Sequence, residues 1–333
     1  MPVLQFLYRA EDDMTFVSGN SAGILTTSIF GNSGDFSGLS FSARVQGGFQ
    51  TLFDWEQGAT RNDVWFHSVV ESESGTTSYE ETITFMGNGV ELVRYWAISS
   101  TQFRWEYHNG TNWITVATVD QSATAAHQID VQLNFADSGG YFRFYTNGNL
   151  DGELTGDTLL RGESGFDAVR MGNRTSNTTL DMYYTETLVA DEDTRDFECD
   201  NIFTSADGFH TEWTIAEGNI DDGPDSVNDA TFGGPSAVDD RHTFTVAGFP
   251  SKYDSFSVVG CIHATRNRKG AASGFDLQAM IRKSSTDYNS ATETGAVGVF
   301  GQSYFYFDND PSTGSPWADA AAIDTAEHGF QAK

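Results

Sequence analysis

Proline and cysteine are both scarce in this chain, at 6 and 2 of 333 residues. So few prolines argue against Pro-rich linkers and low-complexity disorder. Two cysteines cannot build the disulfide framework of a small secreted scaffold. Cys199 and Cys261 could pair with each other, but a chain made in a reducing cytoplasm is expected to keep them as thiols. Basic residues are also few: Lys and Arg number 18 against 47 Asp and Glu, a formal charge of -29. A polyanion such as DNA is therefore repelled over most of the surface, and nucleic acid is not an expected partner. The acidity itself reads first as a source of solubility. No run of about 18 apolar residues occurs, so no membrane span is expected. The opening "MPVLQFLYRAEDDMTF" lacks the basic-then-apolar pattern of a secretion signal. The 7 histidines show no HExxH string and no close Cys/His cluster, and zinc is not expected.

What the chain does have is aromatic residues, 14% of the total, and 34 glycines. Together they suggest many strands joined by tight turns. From Gly38 to Val189 the dominant period is two. In "HQIDVQLNFAD", Ile129, Val131, Leu133 and Phe135 share one face, with Asp130, Gln132 and Asn134 on the other. Asn109-Gly110, Asn147-Gly148 and the Gly87-Asn88-Gly89 run supply the positive φ angles that hairpins need. Without a convincing amphipathic helix in this region, the pattern predicts an all-β antiparallel sandwich. The length allows two cores. The alternation in "MYYTETLVADEDTR" breaks at Asp191, Glu192 and Asp193, which suits a solvated exit from the sheet. We expect a sandwich domain over 1–195 and a second β-rich domain over 196–333. In the latter, "SFSVVGCIHATR", "GFDLQAMIRKS" and "GQSYFYFD" read as strands. One short helix is expected near the C-terminus, with Ser315 as N-cap, Pro316 at its first position and Gly329 as its terminator.

Catalytic patterns are sparse. A sugar-cleaving sandwich needs an acid and a nucleophile roughly 5 Å apart, and an ExDxxE string on one strand would supply them. None is present; Glu71 and Glu73 in "VVESESG" come nearest and read as a strand end. "SGNSAG" and "GNSGDFSG" do not form a nucleophile elbow, and no Walker loop or dinucleotide fingerprint appears. No catalytic residue is assigned and no cofactor is expected. Calcium is the one ion whose chemistry the acidic loops suit: Asp191 to Asp193, Asp221 with Asp222 and Asp225, and above all Asp308 with Asp310 in "FDNDPSTG". For a glycan, exposed rings beside polar groups are the relevant pattern. Most of Trp65, Trp96, Trp105 and Trp113 should be core. Trp113, just after a hairpin turn, is the best candidate for an open ring. Tyr141, Arg143 and Tyr145 share one strand face and would present a polar, aromatic surface.

The run through "WFHSVV", "FMGNGVELVRYW", "YHNGTNWITVATVD", "HQIDVQLNFADSGGYFRFYTNG" and "DMYYTETLVADEDTR" resembles the concanavalin A-like lectin/glucanase (LamG-like) jelly roll over residues 60–195. It is most similar to versions in tailed-bacteriophage structural proteins, and "FDNDPSTGSPWADAAAIDTAEHGF" resembles the terminal segment of such virion proteins. This resemblance implies a non-enzymatic virion component, assembled in the host cytoplasm and displayed on the particle as a capsid decoration, head fibre or tail-adhesion protein. It would contact other virion proteins, act as a homo-oligomer and bind a host-surface carbohydrate. The alternative reading is a glycan-active enzyme or a secreted carbohydrate-binding module of the same fold.

Overall fold

The computed structural model of the protein describes residues 3–7, 15–18, 24–28, 41–45, 50–54, 62–72, 80–159, 161, 165–172, 181–214, 229–230, 232–253, 256–271 and 274–333. They divide into two compact units, Val3–Asn201 and Ile202–Lys333. In the first, the described strands are β1 (Val3–Phe6), β2 (Thr15–Ser18), β3 (Ile24–Ser28), β4 (Phe41–Val45), β5 (Gln50–Asp54), β6 (Asp63–Ser72), β7 (Glu80–Gly87), β8 (Val90–Ser99), β9 (Gln102–His108), β10 (Trp113–Asp120), β11 (His127–Asn134), β12 (Gly140–Thr146), β13 (Asn149–Gly156), β14 (Ala168–Gly172) and β15 (Met182–Ala190). An eight-stranded sheet runs β13-β12-β11-β6-β15-β4-β3, with β1 also paired to β15. A seven-stranded sheet runs β10-β9-β8-β7-β14-β5-β2. Every strand pairing is antiparallel, and neighbours distant in sequence, such as β11, β6 and β15, give the crossed connectivity of a jelly-roll sandwich.

The two sheets bury one core because alternate residues of each face the other. Trp105 of β9 stacks on Phe144 of β12 at 5.0 Å, and Phe66 of β6 meets Phe85 of β7 edge-on at 5.1 Å. Ile129, Val131, Leu133 and Phe135 all point into this core, as their spacing predicts. Each such side chain contributes about 1.5–3 kcal/mol when removed from water. Two of the three expected hairpins are two-residue turns with both central φ angles positive: Asn88 (51°) with Gly89 (73°), and Asn147 (49°) with Gly148 (74°). At the third, Asn109 N–H bonds the Asn112 carbonyl, so four residues make the connection.

The second unit contains β16 (Thr204–Thr211), β17 (Arg241–Val246), β18 (Cys261–Asn267), β19 (Leu277–Lys283), β20 (Thr286–Asn289), β21 (Gly301–Phe307), the helix α1 (Ala320–Asp324) and β22 (Glu327–Ala332). Five strands form one sheet, β16-β17-β22-β19-β20, and β18 pairs with β21 in another. Ala279 and Ile281 of the larger sheet share a core with Phe305 and Phe307 of the smaller.

The helix differs from its expected bounds. Its N-cap is Asp319, whose carboxylate accepts from the Ala322 N–H, and Thr325 closes it. Gly329 does not terminate it but lies within β22, where a Cβ would stand 2.0 Å from the His242 carbonyl of β17. Glycine is needed there for close strand approach. No helix among the described residues is long and apolar enough to cross a membrane.

Candidate functional site

The face of the eight-stranded sheet turned away from the core is where the polar alternation should meet water. At its centre it does not. Strands β11, β6 and β15 lie side by side, with Asp130 opposite His67 in register. Asp130 Oδ1 lies 2.9 Å from His67 Nδ1, and Glu186 Oε2 is 3.4 Å from Nε2 on the other side of the ring. The three side chains are 0%, 1% and 1% exposed. Glu186 reaches this position because β15 shifts register between Thr185 and Leu188, and Glu186 itself has φ of 52°. Such a left-handed residue within a strand is costly, and the surrounding packing must hold it.

Burial alone would lower the His67 pKa, but the charges and hydrogen bonds of Asp130 and Glu186 outweigh it and raise the value to about 9. The ring is an imidazolium between two carboxylates. Thr194 Oγ1 donates to Asp130 Oδ1 at 2.7 Å, while Gln128 Nε2 donates to Asp130 Oδ2 and to the Arg195 carbonyl, each at 2.8 Å. Thr194 is fully buried. The segment after β15 is therefore no simple solvated exit: Asp191 to Asp193 are exposed, but the next residue is pulled onto the sheet. A substrate cannot touch the His67 group, whose three members are sealed. What the cluster does is clamp Thr194 and Arg195 in place.

That clamp sets the surface beside it. Asp193 holds the Arg195 guanidinium, with Nε 2.9 Å from Oδ1, and the guanidinium lies 4.8 Å from the Tyr145 ring and 5.7 Å from Trp65. Trp65 and Tyr145 stack on each other at 5.7 Å. Tyr145, expected to offer a ring face, is only 6% exposed. It supports the surface from beneath, because Trp65 and Arg195 take up its faces.

Tyr141 and Arg143, further along β12, do reach the surface. The Arg143 guanidinium lies 4.3 Å over the Tyr141 ring, its Nε donates to Glu153 Oε2 of β13 at 2.5 Å, and its Nη1 donates to Gln132 Oε1 of β11 at 3.3 Å. Gln132 Nε2 donates in turn to the Tyr141 hydroxyl at 3.1 Å. A phenol, a guanidinium, an amide and a carboxylate thus meet across three neighbouring strands. Their rigid strands fix these groups relative to one another.

Trp113 is not part of this group. It lies on the outer face of the seven-stranded sheet, where the Arg94 guanidinium sits 4.3 Å from its ring and 4.4 Å from Trp96. Glu106 accepts from Arg94 at 2.7 Å and from Thr115 at 3.2 Å. The four expected ligand residues therefore divide between the two opposite faces of the sandwich.

Among the acidic candidates, Glu71 is buried, while Glu73, Asp221, Asp222 and Asp225 lie outside the described residues. Asp310 is buried and its carboxylate is engaged. Oδ2 receives the Lys283 ammonium at 2.5 Å, and Oδ1 receives the Ser312 N–H and hydroxyl at 2.9 and 2.6 Å. Calcium at Asp308 and Asp310 would have to compete with Lys283 for that oxygen.

Sequence reading missed His67, Asp130, Glu186 and Thr194 because they come from three strands and a loop, and each looks locally like an ordinary outward residue. The positive φ of Glu186 has no signature in "YYTETLV". Gln132 and Glu153 could have been found, since both follow from pairing the β11 and β13 alternations with that of β12.

No family model and no curated protein matches this chain. Solved structures do. Alginate lyase AlyC3 is 9% identical over 45% of this chain and 75% of its own, with a TM-score of 0.36. A carbohydrate esterase from the Shiga toxin-encoding bacteriophage phi24B is 10% identical, covering 56% of this chain and 97% of its own, at 0.41. A GH131 β-glucanase catalytic domain from Podospora anserina is 16% identical, covering 57% and 84%, at 0.37. These neighbours are named as enzymes, and the expectation that this chain is not an enzyme is corrected accordingly. That expectation had rested on the resemblance to virion structural proteins and on the absence of an acidic string, a nucleophile elbow and phosphate-binding loops, which excludes particular arrangements of catalytic groups rather than catalysis as such.

Proposed function

We propose that this is a carbohydrate-active protein whose N-terminal sandwich takes a glycan on the outer face of the eight-stranded sheet, around Tyr141, Arg143, Gln132 and Glu153. The observation that carries the proposal is the Tyr141–Arg143–Gln132–Glu153 network. It holds an aromatic plane among donors and acceptors, the combination that apolar sugar faces and hydroxyl groups require. The clamped Arg195, over Trp65 and Tyr145, extends the same face. For bond cleavage, Glu153 and Tyr141 are the proton-transfer groups of the patch, and Arg143 is the counter-charge for a developing anion.

The test uses the full chain against a panel of neutral and acidic polysaccharides, reading binding by NMR shift changes and cleavage by release of reducing ends or unsaturated products. Tyr141→Ala is expected to weaken binding about tenfold, matching loss of an aromatic contact of about 1.4 kcal/mol. Glu153→Gln should stop product release while leaving binding measurable. Trp113→Ala, on the opposite face, should change neither. Binding that survives Tyr141→Ala but is lost in Trp113→Ala would move the site to the other sheet and overturn the assignment.

Display on a virus particle, as a homo-oligomer in contact with other virion proteins, is the second part of the proposal. It is supported by the resemblance of the β15 region and the C-terminal segment to tailed-phage structural proteins. Mass spectrometry of purified particles tests it, and absence of the chain from intact virions would remove this part alone.

A further inference from the structure

The smaller sheet of the C-terminal unit places a cysteine and a histidine two residues apart on one strand face. Cys261 pairs with Phe307 and His263 with Phe305, so both point toward the core that those phenylalanines share with the five-stranded sheet. From β22 of that sheet His328, in register with Ile281, points into the same space. His263 Nε2 and His328 Nδ1 are 2.8 Å apart, and one ligand atom from each of Cys261, His263 and His328 lies within 4.8 Å of the others. The two imidazoles are 9% and 8% exposed, and Cys261 is half-buried.

We propose that Cys261, His263 and His328 form a binding site for a borderline-soft transition-metal ion, with Zn2+ the representative case. Thiolate and imidazole are the donors that such ions select, and three protein ligands leave a fourth position for water or a small ligand. Hydrogen bonding has already set one ligand. His328 Nε2 lies 3.0 Å from the Ile323 carbonyl and must donate to it, so in the neutral ring Nδ1 carries the lone pair and faces the cluster. A backbone carbonyl that accepts from the far nitrogen of a histidine, fixing its ring and tautomer, is common at metal sites. Burial pushes the His263 pKa well down and lowers that of His328, so both rings are neutral. His263 Nε2 therefore carries the hydrogen of the 2.8 Å contact and donates it to His328 Nδ1. Cys261 ligates as a thiolate, so metal binding must displace its proton to solvent as the S–metal bond forms.

The required rearrangement is small. Ligand atoms around a tetrahedral zinc, with Zn–N and Zn–S near 2.0 and 2.3 Å, stand roughly 3.3–3.8 Å apart. The His263–His328 contact must therefore open, with the proton of His263 Nε2 moving to its Nδ1 so that the neutral ring can ligate, while the sulfur closes in.

The experiment adds Co2+ and Zn2+ to the full-length, tag-free chain under reducing conditions. Co2+ should give a thiolate-to-cobalt charge-transfer absorption at one ion per chain, which Zn2+ then displaces. Cys261→Ser should abolish that absorption, and Cys199→Ser should retain it. His328→Gln should weaken Zn2+ binding by more than the roughly 10- to 100-fold that loss of a supporting hydrogen bond costs. X-ray absorption on the zinc-loaded wild type should find one sulfur and two imidazole nitrogens, a readout that needs no variant to fold. Failure of the folded wild type to take up either ion, or a spectrum unchanged by Cys261→Ser, would overturn the proposal. Glycan binding by the N-terminal unit is independent of either result.

Discussion

His67 in the N-terminal unit and the His263–His328 pair in the C-terminal unit are similarly removed from water, yet they hold opposite charge states. Burial disfavours the imidazolium in both places. At His67 two carboxylates face the ring and overcome that penalty. At His263 the ring faces another imidazole, which adds to it. Depth therefore does not decide the charge of a buried histidine; the groups across the ring do. The first arrangement makes a charged clamp, and the second makes a pair of neutral lone-pair donors.

The largest effect should come from breaking the charged side of this comparison. Asp130→Ala removes the acceptor of His67, Thr194 and Gln128 at once, and should cost about 3–5 kcal/mol of unfolding free energy. It should also lower the His67 pKa from its raised value. Urea unfolding with NMR detection measures both, and a loss under about 1 kcal/mol would mean that the clamp carries little.

His328→Leu breaks the neutral side. It strands the His263 N–H and should cost about 1–3 kcal/mol without metal, less than the charged case. A cost as large as that of Asp130→Ala would erase the distinction between the charged and the neutral cluster.

Acid and base should then separate the two units. His67 has a folded value of about 9 against an ordinary 6.5, so its stabilisation is fully present below 6.5 and is lost as pH rises through about 9. The depressed values of His263 and His328 act in the opposite sense: their contribution is present above 6.5 and declines as pH falls below it. His127, lowered to about 4 by burial, gives the N-terminal unit some acid sensitivity as well. NMR titration of the histidine ring protons distinguishes these cases, and a His67 signal that titrates near 6.5 would refute the clamp.

The smallest expected effect is at the exposed rim. The Arg143–Glu153 pair is 37% and 32% exposed, so Arg143→Ala should change stability by less than about 1 kcal/mol while weakening glycan binding. A larger stability loss would show that this residue supports the sheet rather than a ligand.

Much of the N-terminal architecture was legible in advance. Ile129, Val131 and Leu133 announced an inward face, and Asn147-Gly148 announced a hairpin. The glycan patch was half legible: Tyr141 and Arg143 follow from the alternation of one strand, but Gln132 and Glu153 join them only through the pairing of β12 with β11 and β13. The role given to Tyr145 changed because the Thr194–Arg195 segment folds back over it. Cys261 and His263 stand two residues apart, yet no Cys/His cluster was read from the sequence, because their partner His328 lies 65 residues from His263. The helix cap moved from Ser315 to Asp319 because competing caps within a few residues differ only by about a kcal/mol.

The amino-acid sequence by itself determined strand, turn and inward face, because side-chain alternation and positive φ are properties of a few consecutive residues. Tertiary structure alone decided that Asp130 and Glu186 flank His67, and that His328 faces Cys261 and His263. Those meetings depend on which strands become neighbours and in what register, a choice made by burying both sheets' apolar faces together rather than by any local string of residues.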